Sequence, residues 1–231
     1  MNGPMGDGMI LTLNAGSSSI KFALYRMDGS GLALDARGQV EGIGTRPHFI
    51  ARSAEDALLC EGFREPTPGQ GHARAFEQIW RWLTDYAGES GIVAVGHRVV
   101  HGGPEHTQPV LIDQSLMQTL EGLVPLMPLH QPNNLALIRA VTAQLPDLPQ
   151  VACFDTAFHQ GRAAVSERFA LPHALYDRGV RRYGFHGLSY EFIVQRMRQL
   201  APAAVDGRLV VAHLGSGCSM TAIRDGRCVD T

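Results

Sequence analysis

The sequence predicts an α/β protein, on the basis of strand-like segments near the N-terminus, helical apolar stripes after about residue 72, and two similar glycine-serine turns between apolar strands. Residues in the first region alternate between apolar and polar types, which is typical of strands. The strand-like stretches cover 9–14, 18–26, 32–43 and 48–52. We expect them to form an antiparallel meander whose first hairpin turns at residues 15–18.

Apolar residues at helical spacing then predict three helices. The first covers about 72–87, the second follows Asp113 as N-cap, and the third has Pro132 in its first turn. A strand is predicted at 92–100. The strand at 150–154 begins a second unit, which continues with a helix at 188–200 and strands at 208–214 and 219–224. We therefore predict two domains, residues 1–149 and residues 150–231.

Composition excludes several classes of function. The formal net charge of −2 gives no electrostatic reason to expect nucleic acid or an anionic membrane as a partner. The apolar run at 9–13 is too short for a signal peptide or a membrane span, and residues 1–8 are predicted to be a dispensable leader. The four cysteines show no metal-ligand spacing. We expect three of them to be small buried hydrophobes in a reduced, cytoplasmic protein.

The first segment that suggests chemistry runs from Asn14 to Lys21, the only lysine among the 20 basic residues. Gly16 permits a positive φ, the serines supply hydroxyl donors, and Lys21 supplies a cation, so the turn is suited to phosphate. An ordinary hairpin turn is an equally good interpretation of this segment alone. A P-loop or a dinucleotide-binding turn is excluded, because this turn leads into a strand rather than a helix.

Five further clusters follow along the chain. They contain an arginine at a strand end, a histidine at a helix start, an aspartate after a strand, a glycine-flanked histidine, and a second glycine-rich turn: Arg98, His130, Asp155, His186 and His213 with 215–217. His97 and His101, near the strand end, are more simply interpreted as structural. Two phosphate-type turns with cations, histidines and one carboxylate between them indicate phosphoryl transfer.

The segments NAGSSSIKF, GHRVVHGG, LHQPNNL, FDTAFH, RRYGFHG and HLGSGCS, in this order, resemble the acetate kinase family. This family belongs to the acetate and sugar kinase, heat-shock protein and actin superfamily. The resemblance covers Met9 to Thr231. It implies a two-domain actin-like (ribonuclease H-like) acetokinase fold with an incomplete second domain. It also implies reversible transfer of phosphate between ATP and acetate, giving ADP and acetyl phosphate, with magnesium or manganese, and a homodimer at full length.

The resemblance also implies roles for individual residues. The implied catalytic residues are Arg98, His130, Asp155 and His186. The implied substrate contacts are Arg98, Val100, Leu129 and Phe185, of which the last three would contact the methyl group. The implied phosphate and nucleotide contacts are Ser17, Ser19, Lys21, His213, Gly215, Ser216 and Gly217. Asn14 and Asp155 are the implied metal ligands.

The sequence departs from the family pattern at a few positions. Ser216 stands where many members have asparagine, and Leu188 and Tyr190 replace a threonine and a histidine. The family continues beyond this sequence with a second essential arginine and the adenosine-binding region. We therefore expect the 231-residue chain alone to be inactive and to leave apolar strand edges uncovered around 208–229, which would favour aggregation or self-association.

Three alternative functions stay open at this point. A propionate or butyrate kinase would differ only in the depth of its substrate pocket. A non-catalytic fragment that binds anions, and an actin-like scaffold or chaperone ATPase, would not catalyse transfer to a carboxylate.

Overall fold

The computed structural model describes residues 8–29, 31–63, 71–88 and 91–231, so the predicted leader lies outside the described residues except for Gly8. The chain divides into two compact units. The first comprises the chain up to Val99 together with Val110–Ala152, and the second comprises Val100–Pro109 and Cys153–Thr231. The proposed boundary between functional domains at 149/150 stays a prediction. A single cut there does not separate these units, because the segment 100–109 belongs to the second.

The first unit is built on an eight-stranded sheet. Its strands are β1 (Met9–Ala15), β2 (Ser19–Asp28), β3 (Gly31–Glu41), β4 (His48–Ser53), β5 (Leu58–Phe63), β6 (Ile92–Val99), β7 (Val110–Leu111) and β8 (Gln150–Phe154). They are arranged in the order β5-β4-β3-β2-β1-β6-β8-β7. Each of the first four strands pairs antiparallel with the next, which confirms the predicted meander and its first hairpin. The sequence did not predict β5, β7 or the parallel pairing of β1 with β6.

Three helices complete the first unit: α1 (Gly71–Ala87), α2 (Gln114–Gly122) and α3 (Gln131–Gln144). The predicted cap of α2 is confirmed, because Asp113 Oδ1 accepts a hydrogen bond from the Leu116 amide at 2.7 Å. The helix α2 ends at Gly122, and a 3₁₀ turn follows at Val124–Leu126. The apolar stripe of α1 packs on the inward residues of β1 and β2, forming the core of this unit.

The second unit contains four helices and a smaller sheet. The helices are α4 (Ala164–Glu167), α5 (His173–Asp177), α6 (Gly187–Leu200) and α7 (Pro202–Val205), and the strands are β9 (Arg208–Leu214), β10 (Cys218–Arg224) and β11 (Arg227–Asp230). Successive strands pair antiparallel. Val194 of α6 and Val205 of α7 pack with Ile223 on the inner face. On the outer face Val210, Leu214 and Met220 are 69%, 81% and 64% exposed, so apolar side chains of this sheet are accessible to solvent, and the uncovered strand edges stay a prediction.

The four cysteines are all free thiols. Only Cys228 is buried, while Cys60 and Cys153 are half-buried and Cys218 is exposed, so the prediction of three buried cysteines is wrong. The two half-buried thiols lie on strands whose surfaces are only partly covered.

Within the described ranges, none of the helices has both the length and the apolar character needed to cross a bilayer.

Candidate active site

Three polar residues form a row across the middle of the large sheet. Asn14 on β1 pairs with Lys21 on β2 and with Arg98 on β6. Residues paired across neighbouring strands point to the same face of a sheet, so these side chains share one face. The Arg98 guanidinium donates to the Asn14 Oδ1 at 3.0 Å. One cationic side chain therefore lies on each side of Asn14, and that of Arg98 is held by its hydrogen bond to the Asn14 amide oxygen.

Successive side chains of a strand point to opposite faces of the sheet, so these three side chains point away from the core. The residues on both sides of each member are buried in the core: Leu13 and Ala15, Ile20 and Phe22, His97 and Val99. The His97 Nε2 lies 2.8 Å from the Gln150 Oε1, and burial lowers the pKa of His97 to about 4. The neutral imidazole therefore donates to Gln150, and the structural interpretation of His97 is confirmed.

The turn that follows Asn14 is held by side chains from two helices. The His72 Nε2, at the start of α1, lies 2.6 Å from the Gly16 carbonyl oxygen, and Asn134 on α3 donates to the Ala15 carbonyl at 3.1 Å. Gly16 itself does not adopt the positive φ that its lack of a side chain permits. Neither supporting residue was predicted from the sequence. Asn134 lies in the LHQPNNL segment, which was a usable signal, whereas nothing in the sequence singled out His72.

The phosphate-binding side chains predicted on this turn are accessible. Ser17 and Lys21 are exposed, and Ser19 is half-buried. His130 occupies the N-cap position of α3, where its side chain makes no capping hydrogen bond, and it is also exposed. Leu129 is 75% exposed. The first unit thus presents cations, hydroxyl groups and one imidazole on its surface.

In the second unit, His186 occupies a strained backbone conformation. It is the N-cap of α6 and has φ 60° and ψ 22°, in the left-handed region that non-glycine residues rarely adopt. The amide of Gly187 donates to the Asp155 carbonyl at 2.8 Å, and a Cβ at this position would clash with that carbonyl. The glycine after His186 therefore lets α6 begin directly against the backbone of Asp155, which belongs to the same unit.

A buried histidine supports the segment before His186. The His159 Nε2 lies 2.9 Å from the Phe185 carbonyl oxygen, and its Nδ1 lies 3.2 Å from the Cys228 Sγ. Burial lowers the pKa of His159 to about 4, so the neutral ring donates to the carbonyl. Gly184 packs so closely on this ring that a Cβ there would clash with it. Both glycines of the RRYGFHG segment are thus explained by close packing.

The side chain of His186 meets the second glycine-rich turn. Its ring stacks on that of His213 with centroids 4.2 Å apart, and its Nδ1 lies 2.8 Å from the Ser219 Oγ. A Cβ on Gly217 would come within 3.2 Å of the His186 Nε2. The structure therefore brings together His186, His213 and the turn at 215–217, as a phosphate site in this unit requires.

The segment 100–109 contributes apolar and aromatic contacts to the second unit. Val100 is buried, and the His101 ring meets Tyr183 and Phe185 edge-on, at centroid distances of 4.4 and 5.8 Å. The Gly103 amide donates to the His101 Nδ1 at 2.9 Å, and burial lowers the pKa of His101. The structural interpretation of His101 is therefore favoured.

The predicted metal ligands differ in how well they fit a magnesium ion. Asp155 follows β8 directly and is 1% exposed. No group of three histidine, cysteine or acidic side chains suited to a metal occurs among the described residues. Magnesium commonly takes one or two carboxylates and completes its shell with phosphate and water, so Asp155 fits such an ion. The Asn14 oxygen accepts from Arg98 and lies on the strand next to Lys21, so it is less suited to an ion than Asp155, and its role as a metal ligand stays a prediction.

Comparison with known proteins gives consistent matches. A family model described as "Acetokinase family" matches residues 9–231. The acetate kinases of Rhizobium meliloti and Nitrobacter hamburgensis are 51% and 48% identical to the chain over 96% of its length, which is 56% and 55% of theirs.

Two solved structures share this fold. A propionate kinase from Francisella tularensis matches with a TM-score of 0.86 and 34% identity, and the Porphyromonas gingivalis acetate kinase with 0.83 and 35%. Each match covers 96% of this chain and 56% of the other. The chain thus spans about half the length of the relatives it matches.

Proposed function

Because the chain belongs to the acetokinase family, we propose that it serves reversible phosphoryl transfer between ATP and acetate, giving acetyl phosphate and ADP. The observation that carries this proposal is the row of Lys21, Asn14 and Arg98. A guanidinium held by Asn14, with an exposed ammonium on the same face one strand beyond it, suits an acceptor that is a carboxylate before transfer and an acyl phosphate after it. Arg98 is the proposed carboxylate-binding residue.

The charge distribution of the transition state explains the residue types. The transferred group is metaphosphate-like, with negative charge spread over three equatorial oxygens, so the site needs cations and hydrogen-bond donors rather than a strong base. We propose Lys21, Arg98, His130 and His186 as these groups. Acetate is ionised at neutral pH and needs no deprotonation. This favours a carboxylate over a sugar hydroxyl as the acceptor.

The remaining proposed roles are phosphate contacts at the two glycine-serine turns, contacts with the methyl group, and metal binding. Ser17 and Ser19 are proposed to donate to phosphate in the first unit, and His213, Gly215, Ser216 and Gly217 to contact the nucleotide phosphates in the second. Val100 and Phe185 are the proposed methyl contacts of the second unit, and Leu129 is that of the first. Asp155 would hold magnesium or manganese, which when bound neutralises charge on the phosphate oxygens. We further propose a cytoplasmic, homodimeric protein, the location resting on the four free thiols.

Propionate is a second candidate substrate, because a solved propionate kinase has a TM-score of 0.86 with this chain. One additional methylene in a pocket changes binding by only about 1–3 kcal/mol. The two acids must therefore be compared by measurement.

The proposal is tested by measuring acyl phosphate formation from ATP, magnesium and each of acetate, propionate and butyrate. The protein used should contain this sequence and be as long as its relatives. We expect the highest kcat/KM with acetate, and a sugar acceptor tested alongside should give no product. Phosphorylation of the sugar, or no acyl phosphate with any acid, would overturn the proposal.

A further inference from the structure

A chain of hydrogen bonds reaches His186 from the interior of the second unit. Tyr190, on the first turns of α6, is fully buried, and its hydroxyl lies 2.5 Å from the Ser219 Oγ. The same Ser219 Oγ lies 2.8 Å from the His186 Nδ1. Ser219 stands on β10 opposite His213 on β9, so both side chains point to the face that α6 covers. Neither Tyr190 nor Ser219 has a role in the function proposed above.

The protons of this chain can be placed by counting donors. If Tyr190 donates to Ser219, the serine hydroxyl is free to donate to the His186 Nδ1, and every proton has an acceptor. If the hydrogen bonds ran in the opposite direction, His186 would donate to Ser219 and Ser219 would donate to Tyr190. The buried phenol proton would then need another acceptor. Ser219 is the partner that the structure gives the Tyr190 hydroxyl within the described residues. A buried donor without an acceptor is unfavourable, so the first direction is preferred.

We propose that Tyr190 and Ser219 are positioning residues that hold neutral His186 as the tautomer protonated on Nε2. This nitrogen faces Gly217, whose missing side chain leaves room there, so the N–H is presented to the turn at 215–217. A phosphoryl oxygen at this turn would receive a hydrogen bond from a preorganised donor. The role of this N–H as a donor to phosphate rests on the proposed function. The tautomer of His186 does not depend on that function.

The tautomer is measured by ¹⁵N NMR of the histidine side chains in the 231-residue chain, at alkaline pH, with His186 assigned by its loss in His186→Gln. We expect a protonated Nε2 and an unprotonated, hydrogen-bonded Nδ1. In Ser219→Ala the Nδ1 resonance should move toward that of an unbonded nitrogen, whereas Ser219→Thr should keep the hydrogen bond. In Tyr190→Phe the serine still has its proton but loses the donor that fixes its direction, so the shift should be smaller than in Ser219→Ala. Tyr183→Phe is the matched control and should leave His186 unchanged, because Tyr183 packs on His101 instead. A protonated Nδ1 in the unsubstituted chain would overturn the proposal.

A titration with inorganic phosphate separates this inference from the proposed function. We expect phosphate to shift the His186 Nε2 resonance, and Ser219→Ala to weaken phosphate binding roughly tenfold, because the imidazole N–H that donates to phosphate is then no longer held toward it. Equal binding by Ser219→Ala and the unsubstituted chain would overturn the positioning role. If phosphate does not bind but the tautomer is as expected, the phosphate function of the turn fails and the hydrogen-bond chain stands.

Discussion

The two glycine-serine turns have similar sequences but different supports and different chemistry. Residues 15–18 are held by His72 and Asn134 from two helices and lie beside the cations of the large sheet. The turn at 215–217 lies beside the stacked pair of His186 and His213. The first turn is thus suited to anions through permanent charge, and the second through backbone groups and an oriented imidazole. Similar turns in one chain need not bind phosphate by the same means.

The largest effect is expected from the length of the protein, which tests whether the two turns alone are sufficient for catalysis. Expressed alone, the 231-residue chain should form acetyl phosphate at least about 10³-fold more slowly than a protein of the relatives' full length. The family resemblance implies a second arginine beyond this sequence, and removing such a charge costs about 10³–10⁵ in rate in phosphoryl transfer. Acetyl phosphate formation from ATP, magnesium and acetate measures it. Turnover within about tenfold of the longer protein would show that the catalytic groups all lie here.

The cations of the first unit are tested by Arg98→Ala in the full-length protein. A bidentate contact with a carboxylate contributes roughly 1.5–3 kcal/mol, and more if it strengthens in the transition state. We therefore expect kcat/KM for acetate to fall by about 10²-fold or more, with little change in KM for ATP. Arg139→Ala is the control, since Arg139 is an exposed arginine of the same unit that pairs with Glu121. A loss confined to ATP affinity would place Arg98 with the nucleotide.

The buried histidines should make both units sensitive to acid. His97 and His159 each have a pKa lowered to about 4, against about 6.5 when unfolded. At a pH between these two pKa values, each histidine binds a proton in the unfolded chain but not in the folded chain. Stability is therefore full above about pH 6.5 and falls as the pH drops toward 4, by about 2 kcal/mol per histidine between about pH 7.5 and pH 5.

Urea unfolding at the two pH values measures this effect. His97→Gln and His159→Gln should each remove about half of the pH dependence contributed by the pair. If either variant keeps the full dependence, that histidine is protonated in the folded state.

The smallest expected effect concerns the oriented imidazole of the second turn. Gly217→Ala would place a methyl group 3.2 Å from the His186 Nε2, so the ring must shift away from the turn. We expect kcat of the full-length protein to fall about tenfold, with KM for acetate changed less. Gly122→Ala is the matched control, because a Cβ there meets no atom within 4 Å. Equal kcat in the two variants would show that His186 does not act at this turn.

The sequence by itself determined the local elements and the order of the motifs. Period-two alternation located the first hairpin, helical spacing located α1 and α3, and Asp113 identified the cap of α2. These features depend on residues close together in the chain, so a linear pattern carries them. The patterns failed where an element was too short to show a period, as in β7 and α4, or where polar residues interrupted it, as in β5.

Only the tertiary structure decided which distant residues meet. The parallel pairing of β1 with β6 places Arg98 beside Asn14, 84 positions earlier. Ser219, which holds His186, lies on β10 after the glycine-rich turn. His72, which holds the first turn, lies on α1, which follows the whole meander along the chain. Such contacts arise when whole apolar faces pack together, and that packing depends on all the elements at once. A local pattern therefore identifies the chemically important residues but not the partners that orient them.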